Sequence, residues 1–307
     1  MKILDGSYVT WEPSESPTAV TMGVFDGVHL GHRELLTRAF KHAGTSTVIT
    51  FDPHPVEVLA PGSLPQLITT LNERLALLEE LGTELVAVLD LAEVRHFSPQ
   101  QFVDEILIGR LDVASLTIGE DFHFGKDRAG DVAFLNAAAA RAGFEVDVVG
   151  LLSEGGQTVS SSRIRRLIEA GSVADAAGLL GSRYRVSGPV VDGDKRGRDI
   201  GYPTANLRPI IRKVTPGDGV YATLTTIDDT TYMSATNVGT RPTFGGGERL
   251  IEAHLLDYTG DIYGEEIAVE FVERLRPELE FKSVAELLEH IEDDVRRSRE
   301  ILAPVMG

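Results

Sequence analysis

The first half of the chain alternates two hydrophobic patterns. Short apolar, β-branched runs typical of buried strands separate stretches in which apolar residues recur every three or four positions, as in amphipathic helices. Strands that alternate with helices predict an α/β domain with a doubly wound parallel sheet, helices on both faces and a ligand site beyond the carboxyl ends of the strands. The predicted strands cover residues 18–22, 47–51, 85–89, 116–118 and 145–149.

Capping residues predict where several helices of this half begin and end. Thr70 and Glu73 form a capping box that begins a helix, and Gly82 ends it. Ser98 caps the next helix, with Pro99 at the first helical position. Two further helices are predicted, over 133–142 and from 160 to 171.

The pattern changes near Arg183, after a short helical linker that closes at Gly181. From there, glycine-rich turns separate short segments in which apolar and polar residues alternate, which predicts an antiparallel β-barrel. We therefore expect two domains, 1–182 and 183–307. The barrel strands are predicted over 221–227, 231–237, 250–256 and 266–275. A terminal helix capped by Ser283 and Glu286 is predicted to turn an apolar face inward, formed by Val284, Leu287, Leu288, Ile291 and Val295.

One stretch, Gly23 to His32, lies between the first predicted strand and the first predicted helix. Glycines at 23, 27 and 31 allow a tight turn and a close approach of the backbone to a ligand. The start of the helix offers free N–H groups and the positive end of the helix dipole, which favour an anion. His29 and His32 face the same point there and suit a phosphate that carries charge in a transition state. The alternative is a glycine-rich turn with two surface histidines, and the strand–turn–helix context favours the functional interpretation.

Other polar residues of the first half are candidates for binding. Ser161, Ser162 and Arg165 come at a helix start and suit a triphosphate or pyrophosphate, with ordinary serine capping as the alternative. Phe122, in a segment that follows a strand end, suits stacking on a planar ring, although core packing is the more common role of an aromatic residue. His54, between two prolines, is interpreted as a rigid turn residue close to substrate.

The stretch from Gly188 to Asn206 opens the second domain and is read as a loop with phosphate-binding character. Its glycines and basic residues suit a cradle of backbone N–H groups. Thr204 and Asn206 are two positions apart, so in an extended segment they face one way and suit a magnesium ion with phosphate oxygens. A polar hairpin is the alternative. The cradle residues are Gly193, Lys195, Gly197 and Arg198.

A carboxylate in the predicted barrel suits general-base chemistry. Glu252 and His254 share a face of their strand, opposite Ile251, Ala253 and Leu255. Glu252 is placed to accept a proton from a hydroxyl group. The alternative is the solvent-facing side of a strand.

Composition narrows the class of protein. With 307 residues, 42% hydrophobic and 25% charged, the chain has the composition of a soluble globular protein. It has no cysteine, which excludes thiolate catalysis and Cys-ligated metals and fits a cytoplasmic protein. A net charge of −18 argues against broad nucleic-acid binding, and no membrane span or signal peptide is expected. A homo-oligomer is left open.

The motifs together resemble those of a known family. His-x-Gly-His at the first strand-to-helix turn resembles the nucleotidyltransferase superfamily, and the full set is similar to the bacterial bifunctional riboflavin kinase/FMN adenylyltransferases, or FAD synthetases. The resemblance covers nearly the whole chain, with Ser162 in place of the usual threonine and Tyr202 in place of the commoner phenylalanine. The matching stretches are 23–32, 50–55, 119–122, 161–165, 201–207, 219–221, 237–244, 252–254 and 261–264.

The resemblance implies two ATP-dependent, magnesium-dependent steps. The C-terminal domain would phosphorylate riboflavin to FMN with release of ADP, and the N-terminal domain would adenylylate FMN to FAD with release of pyrophosphate. In the first domain, the resemblance implies that His29 and His32 stabilise the transition state. In the second domain, it implies that Glu252 is the base and that Thr204 and Asn206 bind the Mg-nucleotide. Other implied ligand contacts are Gly23, Phe25, Gly31, Ser161, Ser162 and Arg165 for nucleotide and phosphate, and His54, Asp121 and Phe122 for flavin.

Two alternatives of different class remain at this stage. The first alternative is a flavin-binding protein that has lost turnover. The second is a single-activity nucleotidyltransferase whose barrel is used only for binding. The side chains named above favour the bifunctional enzyme over both.

Overall fold

The computed structural model describes residues 1–192, 201–208, 212–240 and 249–306. The chain forms two compact units, Met1–Ser161 and Ser162–Gly307. The sequence predicts the boundary between residues 182 and 183. The division between the two units falls earlier, after Ser161, because the two helices before residue 182 group with the second unit.

The first unit contains a six-stranded parallel sheet in the order β1-β4-β3-β2-β5-β6. The direction of winding reverses between β2 and β5, which is where doubly wound sheets bind ligands. The predicted α/β fold is confirmed, and the short edge strand β1 is an addition to it. The strands are β1 (Lys2–Leu4), β2 (Thr18–Met22), β3 (Thr45–Phe51), β4 (Leu85–Leu89), β5 (Val113–Gly119) and β6 (Glu145–Val149).

The helices predicted for this unit are present, and the short helices Pro55–Leu59 and Leu91–Val94 are additions to them. Both capping boxes, at Thr70 and at Ser98, are present with their reciprocal hydrogen bonds. The helices are α1 (Leu30–Ala39), α2 (Pro55–Leu59), α3 (Leu71–Glu80), α4 (Leu91–Val94), α5 (Pro99–Phe102, continued by a π-helical turn over Val103–Ile108) and α6 (Val132–Ala142). A small hairpin follows, made of β7 (Ser153–Glu154) and β8 (Gln157–Thr158).

Each face of the sheet is covered by apolar side chains from helices. On one face Val48 and Val86 of the strands pack with Leu36 of α1 and Leu78 of α3. On the other face the strands pack against α5, its π-helical continuation and α6. Burial on both faces explains why β2 and β4 read as continuous buried runs rather than as alternating ones.

The second unit is a closed six-stranded antiparallel barrel in the order β10-β13-β12-β11-β14-β9. Two helices precede it, α7 (Ser161–Glu169) and α8 (Val173–Leu180). The strands are β9 (Tyr184–Val191), β10 (Ala205–Leu207), β11 (Gly219–Ile227), β12 (Thr230–Thr240), β13 (Arg249–Leu255) and β14 (Glu266–Arg276). The terminal helix is α9 (Val284–Met306), and its Leu302 is fully buried with Val220, Leu224 and Leu275 of the barrel. The predicted barrel and terminal helix are confirmed.

Two predictions about local structure in this unit are wrong. The stretch read as a loop from Gly188 onward begins inside β9 and ends inside β10, because Val190 is buried and β9 pairs with both β10 and β14. Val284, predicted to face inward, is 60% exposed at the first position of α9. The buried positions of this helix lie further along it, at Asp294, Ser298 and Leu302.

Candidate active sites

The turn between β2 and α1 has an unusual backbone. Phe25 and Val28, both fully buried, have φ angles of 53° and 39°, which residues with a Cβ seldom adopt. A Cβ added to Gly31 would lie 3.2 Å from Cε1 of the His29 ring, so glycine leaves the space that this ring needs. Backbone strain of this kind persists where surrounding contacts over-determine it, and it is concentrated at functional sites.

His29 and His32 lie against each other at the start of α1. Their rings are stacked with 3.6 Å between centroids and an angle of 14° between planes. His29 is the N-cap, and its Nδ1 accepts a hydrogen bond from the backbone N–H of His32 at 3.3 Å. The His32 ring also contacts Phe25, with 5.0 Å between centroids. The structure therefore brings the two predicted histidines together at a helix N-terminus.

Burial favours the neutral form of the His32 imidazole. It lowers the pKa of His32 well below its usual range, and the electrostatic effects of His29 and Arg74 lower that pKa further. Its Nδ1 is buried and has no hydrogen-bond partner among the described residues. Because buried polar atoms are nearly always paired, this nitrogen marks a position for a ligand or an ordered water.

A carboxylate ties the turn to the segment that leads into α3. Asp26 is buried, and its Oδ1 accepts hydrogen bonds from the backbone N–H groups of Ile68 and Thr69, at 3.0 and 2.9 Å. The Thr69 hydroxyl donates to the same oxygen and accepts from the Gly27 N–H at 2.9 Å. The backbone carbonyl of Asp26 accepts a hydrogen bond from Ser161 Oγ at 2.9 Å.

Sequence reasoning assigned no role to Asp26 or to Arg74. Arg74 lies on α3 and is 1% exposed. Its sequence signal is a charge within an apolar stripe, since Leu71 and Leu78 lie three and four positions away on the same helical face.

Residues from the two neighbouring strands reach the same edge of the sheet. β3 and β5 flank β2 in parallel, so the carboxyl ends of all three lie together. His54, buried, caps α2 directly after β3, and its Nδ1 accepts from the Val56 N–H at 3.2 Å. Asp121, exposed, and Phe122, half-buried, follow β5. The Phe122 ring is stacked on buried Phe124 with 5.8 Å between centroids, so this aromatic pair also belongs to the core.

The second predicted anion-binding set lies in the first turns of α7. Ser161 is the last residue of the first unit, and its hydroxyl donates a hydrogen bond to the carbonyl oxygen of Asp26. Ser162 and Arg165 belong to the second unit, where Nη1 of Arg165 lies 3.5 Å from Ser162 Oγ.

In the barrel, three polar residues face one way on adjacent strands. Asn206 on β10 is directly opposite Glu252 on β13, which is directly opposite Asn237 on β12. Directly opposite residues of antiparallel strands point to the same face of the sheet. Ile251 and Ala253 are fully buried on the other face, so packing does not require the carboxylate of Glu252.

A cavity of about 240 Å³ lies beside this row. Polar side chains of β12, β13 and the segment before β10 line it together with apolar side chains of α9 and of the segment that leads into that helix. The polar residues include Thr204, Asn237, Glu252 and His254, and the apolar ones include Leu279, Phe281, Leu287, Ile291 and Val295.

The predicted metal ligands are placed at the start of β10. Asn206 is 4% exposed, and its Oδ1 has no hydrogen-bond partner in the part of the chain that the structure describes. Thr204 lines the cavity. Nδ1 of His254 lies 2.8 Å from the carbonyl oxygen of Pro203, and its ring packs edge-on against Tyr202, so β13 holds the segment that carries Thr204.

An ion pair forms part of the same cavity wall. The carboxylate of Asp294 on α9 accepts hydrogen bonds from Nε and Nη2 of Arg276 on β14, at 2.8 to 3.1 Å. Burial raises the pKa of Asp294, while the hydrogen bond and charge of Arg276 act in the opposite direction. The guanidinium also lies over the ring of Phe281, 5.6 Å from its centroid. The pair therefore fixes α9 against the cavity.

The predicted phosphate cradle, Gly193, Lys195, Gly197 and Arg198, lies outside the described residues. Within the described ranges, no group of three or more His, Asp or Glu side chains is arranged to hold a metal ion. No helix in those ranges is both long and apolar enough to cross a membrane.

These features define a two-domain α/β protein with one candidate site in each domain. A histidine pair lies at the switch point of the doubly wound sheet, and a carboxylate lies beside a threonine and an asparagine in the barrel. Comparisons with known proteins agree: residues 12–163 match the FAD synthetase family, and residues 180–302 match riboflavin kinase.

Curated relatives match along nearly the whole chain. The bifunctional riboflavin kinase/FMN adenylyltransferase of Escherichia coli K12 is 36% identical, over 98% of this chain and 97% of its own length. The Bacillus subtilis enzyme of the same name is 37% identical, over 91% of each chain. A crystal structure described as a macrolide-efflux protein from Streptococcus pneumoniae superposes with a TM-score of 0.89 at 31% identity, covering 97% of this chain and 99% of that one.

The chain belongs to the bifunctional riboflavin kinase/FMN adenylyltransferase family. It phosphorylates riboflavin to FMN and adenylylates FMN to FAD, with ATP as the co-substrate and with ADP and pyrophosphate as the other products.

Proposed function

We propose that adenylyl transfer takes place at the turn between β2 and α1. His29 and His32 stabilise the charge that develops on the α-phosphate of ATP, while Gly23, Phe25 and Gly31 shape the backbone beside the nucleotide. The observation that carries this assignment is the stacked histidine pair at the N-terminus of α1. Because the phosphate of FMN is already an anionic nucleophile, positioning and charge stabilisation suffice, without a strong base.

Residues at the start of α7 hold the phosphates in this proposal. Ser161, Ser162 and Arg165 combine hydroxyl groups, free N–H groups of the first helical turn and a guanidinium, which suits a triphosphate and its leaving pyrophosphate. The hydrogen bond from the Ser161 hydroxyl to the Asp26 carbonyl supports the assignment of Ser161, because Asp26 belongs to the histidine turn.

The flavin of FMN contacts residues after the flanking strands. His54 follows β3, and Asp121 and Phe122 follow β5, on either side of the strand that leads to the histidines. The ring of Phe122 is half-buried, so one part of it packs on Phe124 while another part stays accessible to a planar ligand.

In the barrel, Glu252 accepts the proton of the riboflavin hydroxyl. That hydroxyl is a poor nucleophile, so its attack on the γ-phosphate gains from a carboxylate within reach. The apolar side chains of the cavity accommodate the flavin ring, and the ion pair between Arg276 and Asp294 holds their wall in place.

Thr204 and Asn206 hold Mg²⁺ in this proposal, and the donors fit the ion. A hydroxyl and an amide oxygen are hard ligands, and Mg²⁺ in kinases keeps few protein ligands beside substrate phosphates. The unpaired, buried Oδ1 of Asn206 supports the assignment. When bound, the ion neutralises charge on the β- and γ-phosphates. Gly193, Lys195, Gly197 and Arg198 complete the phosphate contacts through their backbone N–H groups and basic side chains.

Asn206→Leu tests the metal site. Leucine has a similar shape but no oxygen ligand, so we expect riboflavin phosphorylation to need about 10- to 100-fold more Mg²⁺ for half-maximal rate. The change is measured by titrating Mg²⁺ at fixed riboflavin and ATP. FMN adenylylation by the same protein should keep its Mg²⁺ dependence, and an unaltered Mg²⁺ requirement of the kinase would remove Asn206 from the metal site.

The two activities are measured together by incubating the protein with riboflavin and Mg-ATP and separating the flavins by chromatography. We expect FMN to appear first and FAD to follow. Absence of both products would indicate a flavin-binding protein, and FMN alone would indicate an inactive first domain.

The domains proposed from the sequence, 1–182 and 183–307, can be tested by truncation. The barrel is self-contained in its strand pairing, so fragment 183–307 should make FMN from riboflavin. Fragment 162–307 retains α8, which packs on β9 and β14 and buries Val173, Ala176, Leu179 and Leu180. Burial of each Val or Leu side chain stabilises a fold by roughly 1.5–3 kcal/mol.

We therefore expect the longer fragment to have the higher Tm, by about 5 °C or more for a domain of this size. Circular dichroism and an FMN assay on both fragments check this. Equal Tm values would support the boundary at 182, and an inactive but folded longer fragment would contradict the placement of the whole kinase site in the barrel.

The cellular location, the absence of membrane and nucleic-acid partners and the oligomeric state are also proposals. The lack of cysteine and the net charge of −18 support a cytoplasmic protein that binds neither membranes nor nucleic acid, with a homo-oligomer left open. Fractionation of cells and sedimentation of the pure protein test these points.

A further inference from the structure

Arg74 is a buried cation beneath the histidine turn. It lies in the middle of α3 and is 1% exposed, although charged residues are almost never fully buried unless they are paired. Burial lowers the pKa of Arg74, and the charges of Asp26 and Asp52 oppose this effect. The guanidinium remains charged, since arginine does not lose its proton in proteins.

The contacts of Arg74 join the ends of the two central strands. Its Nη1 donates to the carbonyl oxygen of Val24, just after β2, and to that of Phe51, the last residue of β3, at 2.8 and 3.0 Å. It also lies 2.8 Å from Thr50 Oγ1, which itself donates to the Val24 carbonyl at 3.0 Å. One nitrogen thus fixes Val24 at the point where the turn leaves the sheet.

The segment that leads into the same helix holds the turn at a second point. The Asp26 carboxylate accepts hydrogen bonds from Ile68 and Thr69, directly before the N-cap of α3 at Thr70. Asp26 and Arg74 therefore bracket Phe25, whose φ of 53° needs such support.

The Nε of Arg74 is buried without a hydrogen-bond partner among the described residues. An unsatisfied buried donor on a charged group is costly, and an apolar residue would avoid that cost. Stability alone therefore does not account for an arginine on an otherwise apolar helical face.

We propose that Arg74 is a positioning residue for adenylyl transfer, which fixes the turn so that His29 and His32 meet the α-phosphate. The inference rests on the proposed role of these histidines. Its positive charge also acts on His32 from α3, as does His29 from α1, and both favour the neutral ring. Arg74 thus acts through the histidines rather than on the substrate.

Three variants separate the contributions of Arg74. Arg74→Met removes the charge and the donors at similar length, Arg74→Lys keeps the charge without the planar fork, and Thr50→Val removes one bridging hydroxyl at constant shape. Arg38→Met is the matched control, because Arg38 is an exposed arginine of α1 that bonds Asp147. All variants are made in the full chain, and riboflavin phosphorylation reports on protein quality.

We expect Arg74→Met to lower kcat for FAD formation by about 100-fold, the effect of displacing a catalytic group by about 1 Å, with KM for ATP within about threefold. Thr50→Val and Arg74→Lys should show smaller losses in kcat, and Arg38→Met none. NMR titration of the His32 ring should show its pKa higher in Arg74→Met and unchanged in Thr50→Val.

The inference would be overturned if kcat stayed within about threefold of the parent in folded Arg74→Met and Thr50→Val. It would also be overturned if KM for ATP rose by about 100-fold while kcat was retained. If Arg74→Met does not fold, Thr50→Val decides alone. His32→Ala is assayed beside them. If His32→Ala still forms FAD, the histidine assignment itself is refuted. If His32→Ala loses FAD formation while the Arg74 and Thr50 variants keep full activity, only this inference is refuted.

Discussion

Replacing either histidine of the turn should slow FAD formation by about 100- to 1,000-fold while FMN formation persists, since this is the typical loss when one preorganised donor is removed. We expect this for His29→Ala and for His32→Ala in assays with FMN and Mg-ATP. Because the His29 side chain also caps α1, His29→Asn is the sharper variant: asparagine is a good N-cap but has no imidazole.

His42→Ala is the matched control for these variants. His42 lies just after α1 and contacts Glu145 at the protein surface, away from the turn. Its replacement should leave both activities unchanged. Normal FAD synthesis in both histidine variants would instead favour a structural turn with two histidines, and equal loss of both activities would indicate misfolding.

Glu252→Gln should lower riboflavin phosphorylation by roughly 100- to 10,000-fold and leave FMN adenylylation intact. Glutamine keeps the size and hydrogen bonding of glutamate but does not readily accept a proton. The neighbours of Glu252 on β13, Ile251 and Ala253, supply the buried face of the strand, so the fold should not change. Supplied FMN should still become FAD, whereas supplied riboflavin should accumulate.

Glu273→Gln controls for the loss of a barrel carboxylate, because Glu273 is exposed on β14 and does not line the cavity. Circular dichroism and riboflavin binding check the fold of the second domain. If Glu252→Gln lost only about threefold of its kinase activity or less, far short of the expected loss, the assignment of the base would be contradicted.

Local sequence signals determined much of the first domain. Its central strands β2 and β4 are buried on both faces and read as continuous buried runs, and the capping box predicted at Thr70 and the cap predicted at Ser98 both form. The histidine motif could be placed because a strand end, glycines and a helix start follow each other within a few residues. These features depend on neighbours in the sequence, so periodicity and composition reveal them.

The second domain was harder to predict where its strands are short or interrupted. Burial alternates along β9, but Gly188 and Pro189 interrupt its apolar sequence pattern, and β10 has only three residues. Both exist because barrel closure pairs them with neighbouring strands. Val284 fits the apolar periodicity of α9, but it lies at the helix start, where no partner covers it.

The sequence by itself determined the family and the two folds, and it proposed the histidine pair and the glutamate as candidate site residues. Only the tertiary structure decided that Asn206, Glu252 and Asn237 form one row, since strand register sets which residues are opposite. It alone decided that Arg74 lies beneath the histidine turn, since its partners Val24, Thr50 and Phe51 are distant in sequence. A local pattern predicts which face a residue occupies, whereas its partner across that face depends on how separate elements pack, and no spacing along the chain encodes this.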